Sequence, residues 1–274
     1  GVITNIGEAH IENFKNVKGI AGAKSEIIKN IQKNGTIILN RDDKFFNYLE
    51  KKAKIKNLKV LTFGLNKNSD ICLKKVITKK NDKVLTIKII NQTLKIIIKN
   101  INYYNVLSSL ALLKALNLNF SQILNIYKNI EPTEGRGKIH LIHRYKKEFN
   151  FIDESYNANP LSVKNAILNF NSIKKENFKK YLLLGDMLEL GHKSTELHKD
   201  ISKVINNSDI DKVFIKGIKT LNTYKNIIKN KRGNILQQES DVDFALKNII
   251  ANNDYLMIKG SNATGLNNLS KRII

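Results

Sequence analysis

The chain has one cysteine, few arginines and no long apolar run, and each shortage excludes a class of protein. A single cysteine in 274 residues excludes an intramolecular disulfide framework and a cysteine-rich zinc site. We expect Cys72 to be a buried bystander in a reducing compartment. No apolar run approaches the roughly 18 residues that a membrane span requires. We therefore expect a cytoplasmic protein without a membrane-spanning segment.

Arginine is scarce although the chain is strongly basic. Only five of the 47 basic residues are arginine, and the formal net charge is +23. The lysines are spread along the chain, and their densest patch, residues 51–59, contains no aromatic residue. A nucleic-acid groove favours clustered arginine and stacking aromatics, so we expect no nucleic-acid partner. The abundant Lys, Asn and Ile are typical of an AT-rich genome, and the charge can still steer anionic substrates towards the protein.

Length and composition predict two globular domains. Hydrophobic residues make up 42% and charged residues 26% of the chain, and 274 residues exceed the usual size of a single core. Pro132, Gly135 and Gly137 interrupt the regular pattern and mark the best boundary. We therefore predict domains at residues 1–131 and 132–274. The chain begins at Gly1 within a strand-like segment and without a signal peptide, so we expect a fragment cut inside a domain.

The hydrophobic pattern differs between the two predicted domains. In the first, helices are predicted at 17–31, 103–117 and 121–130, with Ser121 as the N-cap of the last, and strands at 36–39, 71–77, 84–90 and 94–98. In the second, strands are predicted at 139–143, 149–152, 181–184, 212–215 and 255–258. Helices are predicted at 161–170, 195–206, 219–229, 241–251 and 265–272. This alternation favours an α/β fold with a doubly wound parallel sheet.

One lysine falls on the apolar side of the predicted helix 17–31. At 100° per residue the apolar side chains form one stripe, made of Val17, Ile20, Ala21, Ile27, Ile28 and Ile31. Lys24 lies in the middle of that stripe. Burial would favour its neutral amine, which can react with CO2 to give a carbamate, an anionic oxygen ligand suited to Mg2+. The alternative is that Lys24 extends along the helix edge to water.

A histidine lies just upstream of this helix. His10 follows the first strand-like segment, and in open α/β sheets ligands collect beyond the carboxyl ends of strands. A lone loop histidine is usually an ordinary surface residue. Its position before a helix that carries an inward lysine raises the hypothesis of a shared metal site.

Two segments around these residues resemble the Mur ligase family. They are Thr4-Asn-Ile-Gly-Glu-Ala-His-Ile-Glu12 and Ile20-Ala-Gly-Ala-Lys-Ser-Glu-Ile27. The resemblance implies that His10 binds Mg2+ and that Lys24 is carbamylated and helps to hold Mg2+ at the γ-phosphate of ATP. It covers nearly the whole chain, because further motifs follow in the family's order.

Two of these motifs resemble parts of the family's ATP site. Asn102-Tyr-Tyr-Asn105 resembles a segment that contributes to adenine binding, although Ile101 stands where the family has histidine. An asparagine at a helix start can instead be only a cap. Gly135-Arg136 resembles the hinge whose arginine reaches the nucleotide, with a structural arginine as the alternative.

The segment Asp153-Glu-Ser-Tyr-Asn-Ala-Asn-Pro160 is the most specific motif. It resembles the branch of the family that adds D-alanyl-D-alanine, rather than the Tyr-Ala-His-x-Pro version of the branch that adds the third peptide residue. It follows a predicted strand and precedes a predicted helix, where acidic side chains can bind ribose hydroxyls. The resemblance implies ATP contacts from Asp153, Glu154 and Asn157.

Two later segments complete the resemblance. They are Leu184-Gly-Asp-Met-Leu-Glu-Leu-Gly191 and Lys259-Gly-Ser-Asn262. The resemblance implies that residues in these segments and in the helix after the first of them bind the acceptor substrates. These residues are Asp186, Glu189, Ser194, His198 and Lys259. Asn262 stands where the family has arginine, so the charged contact of that arginine is missing here.

The resemblance implies a fold, a reaction and its partners. The fold is the remainder of a central ATPase domain followed by a Rossmann-like C-terminal domain. The reaction is the ATP-dependent addition of D-alanyl-D-alanine to UDP-MurNAc-tripeptide through an acyl phosphate, with Mg2+ as the metal and a monomer as the expected state. The chain contains no Gly-x-x-x-x-Gly-Lys-Ser/Thr phosphate loop, so we expect this fragment alone to be inactive.

Three alternatives remain open from the sequence. The first is another ligase of the same superfamily, either the enzyme that adds the third peptide residue or a folylpolyglutamate synthase. The second is a non-catalytic Mur-like binding protein, against which the presence of both His10 and Lys24 argues. The third is a basic nucleic-acid binder, which a salt-dependent binding assay would reveal.

Overall fold

The chain folds into two compact units in a computed structural model that describes residues 1–79, 82–99, 101–120 and 124–274. The first unit contains Gly1–Gly7 and Phe14–Pro132. The second contains Glu8–Asn13 and Thr133–Ile274. The short segment Glu8–Asn13 thus packs with the second unit although it lies near the start of the chain.

The first unit is built on a six-stranded sheet with the strands in chain order. The strands are β1 Val2–Ile3, β2 Thr36–Asn40, β3 Lys59–Gly64, β4 Ile71–Lys79, β5 Asp82–Ile89 and β6 Gln92–Ile98. Strands β1 to β4 pair in parallel, whereas β4, β5 and β6 form an antiparallel meander. The carboxyl ends of β1, β2 and β3 therefore lie at one edge of the sheet.

In the described part of the first unit, five α-helices accompany this sheet. They are α1 Val17–Lys24, α2 Ile27–Asn30, α3 Phe46–Ile55, α4 Tyr103–Ala115 and α5 Ile126–Asn129. Asn16 caps α1 by accepting a hydrogen bond from the backbone N–H of Gly19, because the first amides of a helix have no partner within it. Val106, Leu107 and Leu110 of α4 pack on the inner side of the meander and form its core.

The second unit contains another six-stranded sheet, in the order β11-β10-β9-β12-β8-β7. Its strands are β7 Lys138–Arg144, β8 Lys147–Glu154, β9 Lys180–Gly185, β10 Lys212–Lys216, β11 Arg232–Ile235 and β12 Tyr255–Lys259. All neighbours pair in parallel except the hairpin of β7 and β8. Its helices are α6 Pro160–Asn171, α7 Ser194–Asn206, α8 Leu221–Asn226, α9 Glu239–Asn248 and α10 Leu266–Ile273.

Both faces of the second sheet are covered. All six residues of β9 are buried, which is the pattern of a parallel strand with helices on each side. On one face Val242 and Leu246 of α9 and Leu266 and Leu269 of α10 pack against the strands. The carboxyl ends of β8, β12 and β9 lie side by side, so the loops that follow them share one edge of the sheet.

The predicted α/β fold class is confirmed, and most predicted elements exist within a few residues of their expected bounds. Cys72 is buried, as predicted. Strands β3 and β11 and helix α3 were not predicted, and the predicted helix 219–229 extends only over Leu221–Asn226. The predicted N-cap Ser121 lies outside the described residues.

The predicted helix 17–31 is wrong as a single element. Hydrogen bonds from the backbone N–H of residues 26, 28 and 29 reach back three residues, which winds the chain at about three residues per turn. The helix is therefore divided into α1 and α2. No helix in the described ranges combines the length and the apolar character that crossing a bilayer requires.

Candidate functional site

Lys24 lies at the carboxyl end of the first strand. It is exposed, and its Nζ donates a hydrogen bond of 3.0 Å to the carbonyl oxygen of Asn5, which follows β1. The prediction that Lys24 points into the core is therefore wrong. The alternative, in which the side chain extends to water, agrees with the structure.

Ser25 takes the inward position that the sequence assigned to Lys24. Ser25 is 2% exposed and lies on the same side as buried Ala21 and Ile28. Its hydroxyl donates to the carbonyl oxygen of Gly22 at 2.6 Å and accepts from Nζ of Lys52 at 2.8 Å. The periodicity misplaced the stripe because the tightened turn after Lys24 shifts Ile27 and Ile31 relative to the start of the helix.

The start of α4 carries the two asparagines that were expected at the adenine. Asn102 is the N-cap, and its Oδ1 accepts from the backbone N–H of Tyr104 at 2.8 Å. Asn105 lies one turn further and is exposed. The hydroxyl of Tyr104 donates to the carboxylate of Asp42 at 3.0 Å, which ties this helix start to the loop after β2. Asn102 thus has a structural role as a helix cap, whereas the side-chain amide of Asn105 is exposed to solvent.

A cavity of about 380 Å³ opens beside the loops after β2 and β3. It is lined by Arg41, Asp43, Lys44, Phe46, Asn47, Asn66 and Asn68. The carboxylate of Asp43 accepts from the backbone N–H groups of Ile6 at 2.6 Å and Phe45 at 2.8 Å. The aspartate is thus engaged within the fold, and the wall of this cavity is basic and rich in amides.

Asp153 closes the hinge at the start of the second unit. It is 2% exposed. Its Oδ2 accepts from the N–H of Gly135 at 2.8 Å, and its Oδ1 accepts from the N–H and hydroxyl of Ser155 at 3.1 and 2.6 Å. Both carboxylate oxygens are therefore used inside the chain. This geometry favours a structural role for Asp153 over the ATP contact that the resemblance implied.

The same hinge presents Arg136 on the ring of Tyr156. The guanidinium carbon lies 4.4 Å from the ring centroid, and both residues are exposed. Gly135 has a φ of +73°, and a Cβ there would lie 2.7 Å from Cβ of Tyr156. Glycine is thus required for the close approach of the two strand ends. The stacked guanidinium keeps its donors free for an anionic or hydroxyl ligand.

Glu154 and Lys259 form a pair where β8 and β12 end. Lys259 is 3% exposed, and its Nζ donates to Oε2 of Glu154 at 3.1 Å and to the carbonyl oxygen of Asn157 at 2.7 Å. Burial lowers the pKa of Lys259, and the charge of Glu154 opposes that shift. Asn157 is exposed. Lys259 therefore orients Glu154 and Asn157 and is not itself open to a substrate.

His198 lies beneath the loop that follows β9. It is fully buried, its Nε2 accepts from the N–H of Met187 at 3.0 Å, and its Nδ1 donates to the carbonyl oxygen of Ser194 at 2.7 Å. Burial lowers the pKa of His198, which favours the neutral ring that this bonding pattern requires. Ser194 is also buried. These two residues hold the loop and are not exposed to a ligand.

The exposed side of that loop carries the remaining candidates. Asp186 is half-buried, and its Oδ1 accepts from the N–H of Thr220 at 2.8 Å. Glu189 is exposed, and its carboxylate contacts Nδ1 of His10, which belongs to the same compact unit. The structure thus groups His10 with Glu189, and Lys24 belongs to the other unit.

Comparison with known proteins identifies the family. Residues 1–113 match the Mur ligase middle domain, and residues 137–262 match the Mur ligase glutamate ligase domain. The chain belongs to the Mur ligase family.

Curated Mur ligases align with the entire chain. The UDP-N-acetylmuramoyl-tripeptide--D-alanyl-D-alanine ligase of Buchnera aphidicola subsp. Baizongia pistaciae is 30% identical, and that of Bacillus subtilis is 29% identical. Each alignment covers 100% of this chain and 58% of the relative. The chain thus spans less than two thirds of the length of these relatives.

Solved Mur ligase structures have the same fold. MurF from Acinetobacter baumannii superposes with a TM-score of 0.86 at 23% identity, over 99% of this chain and 58% of that one. MurF from Thermotoga maritima, in complex with ADP, gives a TM-score of 0.82 at 20% identity, over 99% of this chain and 61% of that one.

The sequence did not single out several residues that shape the edges of this Mur ligase chain. Tyr156 lies inside the recognised octapeptide, so its ring beside the hinge arginine could have been proposed. Ser261 accepts from the N–H of Leu188 at 3.1 Å and links the loops after β12 and β9. Arg41 lines the cavity of the first unit. Ser261 lies inside the recognised segment Lys259-Gly-Ser-Asn262, so its role could also have been proposed, whereas Arg41 follows no local pattern that marks it before the strands are paired.

Proposed function

We propose that the protein containing this chain is the ATP-dependent ligase that joins D-alanyl-D-alanine to UDP-MurNAc-tripeptide. The observation that carries this proposal is the alignment, at 27–30% identity, of relatives bearing that name with 98–100% of the chain. The position of the motifs supports it. The two segments that resemble this branch lie at the carboxyl ends of β8 and β9, and a segment that resembles the family follows β12, which lies between these two strands at the same ligand edge.

The proposed reaction has two steps, formation of an acyl phosphate and attack on it by an amine. An oxygen of the tripeptide carboxylate attacks the γ-phosphorus of ATP, and ADP leaves. The amine of D-alanyl-D-alanine then attacks the carbonyl carbon of the acyl phosphate, loses a proton, and expels phosphate through a tetrahedral intermediate. Negative charge builds on phosphate oxygens and then on the carbonyl oxygen, so cationic groups dominate the catalysis.

We assign the ATP contacts to the exposed residues among those that the resemblance implies for ATP binding. Asn105 presents a free-standing amide to the adenine, and Arg136 presents its guanidinium to the phosphate or ribose oxygens. Glu154, oriented by Lys259, is the acceptor for the ribose hydroxyls, with Asn157 beside it. Asn102 and Asp153 support these residues through a cap and a hinge.

We propose Mg2+ as the metal, with His10 in the second unit and a carbamylated Lys24 in the first unit each acting as a protein ligand to Mg2+. Mg2+ takes one or two protein ligands and completes its shell with phosphate oxygens and water, so it does not need a cluster of protein ligands. The described residues contain no group of three or more His, Cys, Asp or Glu that could hold a metal. The imidazole nitrogen of His10 and a carbamate oxygen on Lys24 are each a ligand of the kind that meets this requirement alone. When bound, the metal would supply charge neutralisation at the γ-phosphate.

Asp186 and Glu189 are the residues that we propose for the acceptor side. Ser194 and His198, expected there from the resemblance, support the loop from below through buried hydrogen bonds. Because His198 accepts the amide of Met187, it fixes the backbone between the two acidic residues. Both acids are partly or fully exposed, as an amine-bearing substrate requires.

The test is phosphate release from ATP by the protein with its upstream region present. UDP-MurNAc-tripeptide is supplied, and D-alanyl-D-alanine is added or withheld. Release that depends on D-alanyl-D-alanine is the expected result, and release that depends on neither substrate overturns the proposal. We propose that this chain alone gives no turnover, because it lacks the phosphate loop, and that the active protein is a monomer.

A further inference from the structure

The antiparallel meander of the first unit has an inner and an outer face. Side chains alternate along β5 and β6, so Leu85 and Ile87 point inwards with Ile96 and Ile98 and are buried against α4. The intervening residues point to the opposite side. We call that side the outer meander face and define it by Lys75, Ile77, Val84, Lys88, Lys95 and Ile97.

The register arranges these residues in rows across the three strands. Ile77 pairs with Val84, and Val84 pairs with Ile97, which forms an apolar row. In the next row Thr86 lies between Lys75 and Lys95, and Lys88 follows one row further along β5. Ile77 is 38% exposed and Ile97 is 39% exposed.

The lysines of this face form one compact positive surface. Neighbouring strands lie about 4.8 Å apart and successive rows about 7 Å apart, so the three amines fall within roughly one Debye length of each other. All three are exposed, and within the described ranges none of them forms an ion pair. Residues 71–99 contain eight lysines and a single acidic residue, Asp82.

We propose that the outer meander face docks reversibly on an anionic lipid surface. The apolar row would enter the boundary between headgroups and acyl chains, while the lysines reach lipid phosphates with their ammonium groups. Residues 71–99 contain no arginine and no aromatic residue. Single-stranded nucleic acid is bound through stacking aromatics and arginine, so the composition favours lipid over nucleic acid.

The expected binding is weak and sensitive to salt. Each lysine near an anionic bilayer contributes about five-fold to partitioning, so removing three lowers it about 100-fold. A short apolar row cannot anchor the chain by itself, because stable anchoring takes two signals. Both the charge and the apolar row are therefore required, and each can be removed separately.

The experiment is co-sedimentation of the chain with phosphatidylcholine vesicles that contain or lack phosphatidylglycerol, at low and high salt. The test variant is Lys75→Gln/Lys88→Gln/Lys95→Gln. The matched control is Lys199→Gln/Lys225→Gln/Lys271→Gln, which removes the same charge from exposed helix positions of the second unit. A second variant, Ile77→Thr/Ile97→Thr, removes the two exposed isoleucines of the apolar row while keeping β-branched residues in the strands. Circular dichroism checks that each variant is folded.

The expected result is binding only to phosphatidylglycerol vesicles, lost at high salt, reduced about 100-fold in the test variant and kept in the control. The Ile77→Thr/Ile97→Thr variant should bind more weakly with the same salt dependence. Equal losses in the test and control variants would assign binding to net charge and overturn the proposal. So would binding of a single-stranded RNA in place of vesicles, or loss of vesicle binding when the upstream region is present.

Discussion

The carboxyl edges of the two sheets differ in how their polar groups are held. At the edge of the second sheet, Asp153, His198 and Lys259 are buried and fully engaged with partners inside the chain. At the edge of the first sheet, Lys24 and Asn105 are exposed. The buried polar groups at the second edge thus have their partners without a ligand. The candidates at the first edge contribute little to the stability of the fold and would be engaged only by a bound ligand. Substitutions of Asp153, His198 or Lys259 should therefore reduce stability, whereas substitutions of Lys24 or Asn105 should affect only binding.

The largest effect is expected for Asp153→Ala. This change leaves the N–H of Gly135 and the hydroxyl of Ser155 without their buried acceptor and should lower the free energy of unfolding by about 3 kcal/mol. Urea unfolding followed by circular dichroism measures it. Asp200→Ala is the control, because it removes only a surface ion pair with Lys203, and such exposed pairs contribute little to stability. Equal losses in the two variants would contradict the hinge role of Asp153.

His198→Ala should have the next largest effect, about 2 kcal/mol. It opens a cavity and leaves the N–H of Met187 unpaired in a buried site. His192→Ala is the comparison, since His192 is an exposed histidine of the same loop and should change stability by less than about 0.5 kcal/mol. Thermal unfolding of both variants measures the difference. A similar loss at the two positions would mean that the buried bonds do not matter.

The same histidine predicts a pH dependence. Burial lowers the pKa of His198 in the folded state, so below its ordinary value of 6.5 the unfolded chain takes up a proton that the folded chain does not. The stability due to the neutral ring is therefore complete above about pH 6.5 and is lost as the pH falls below it. Unfolding free energies measured from pH 7 downwards should decline more steeply for the wild type than for His198→Ala. Parallel curves would argue against a buried neutral ring.

The two asparagines at the start of α4 should show smaller effects on stability, and each serves as the control for the other. Asn102→Ala removes the N-cap and should cost about 1 kcal/mol. Asn105→Ala changes an exposed side chain one turn further and should cost less than about 0.5 kcal/mol. Only the second variant should weaken ATP binding without a matching loss of stability. The reverse pattern would exchange the structural and ligand-binding roles of the two residues.

Lys24→Ala should have the smallest effect on stability, within about 0.5 kcal/mol, because the side chain is exposed and makes one hydrogen bond. In the protein with its upstream region, the same change should reduce phosphate release at least about 100-fold if Lys24 helps to hold the metal. Chemical denaturation and the phosphate assay test the two halves separately. A large loss of stability would assign Lys24 to the fold of the first unit.

Local periodicity located most elements but misjudged one inward position. The apolar repeat of residues 17–31 correctly predicted helical structure, and it placed Lys24 where Ser25 actually faces the core. The error is one residue, and it arises because the ideal angle of 100° per residue was continued through a turn that is wound more tightly. Ser25 is small and polar and lies next to Lys24, so the hydrophobic pattern alone does not show which of the two residues faces the core.

The hairpin of β7 and β8 could not be predicted from its turn. Tyr145 and Lys146 connect the strands with φ values of +54° and +58°, the conformation for which Asn-Gly or Asp-Gly is the usual signal. Two bulky residues in that conformation give no such signal. The sequence therefore favoured a wholly parallel sheet, and the antiparallel edge emerged only from the pairing.

The sequence by itself determined the alternation of strands and helices, the hinge and the family motifs, because each depends on residues close together in the chain. The inward direction of Asp153 was also readable, since it continues the alternation of buried Phe149 and Phe151 along β8. Only the tertiary structure decided that Lys259 is a buried support for Glu154. The two residues are 105 positions apart, and the parallel register of β12 on β8 brings them together. Burial of a charge depends on such distant partners, which no local pattern contains.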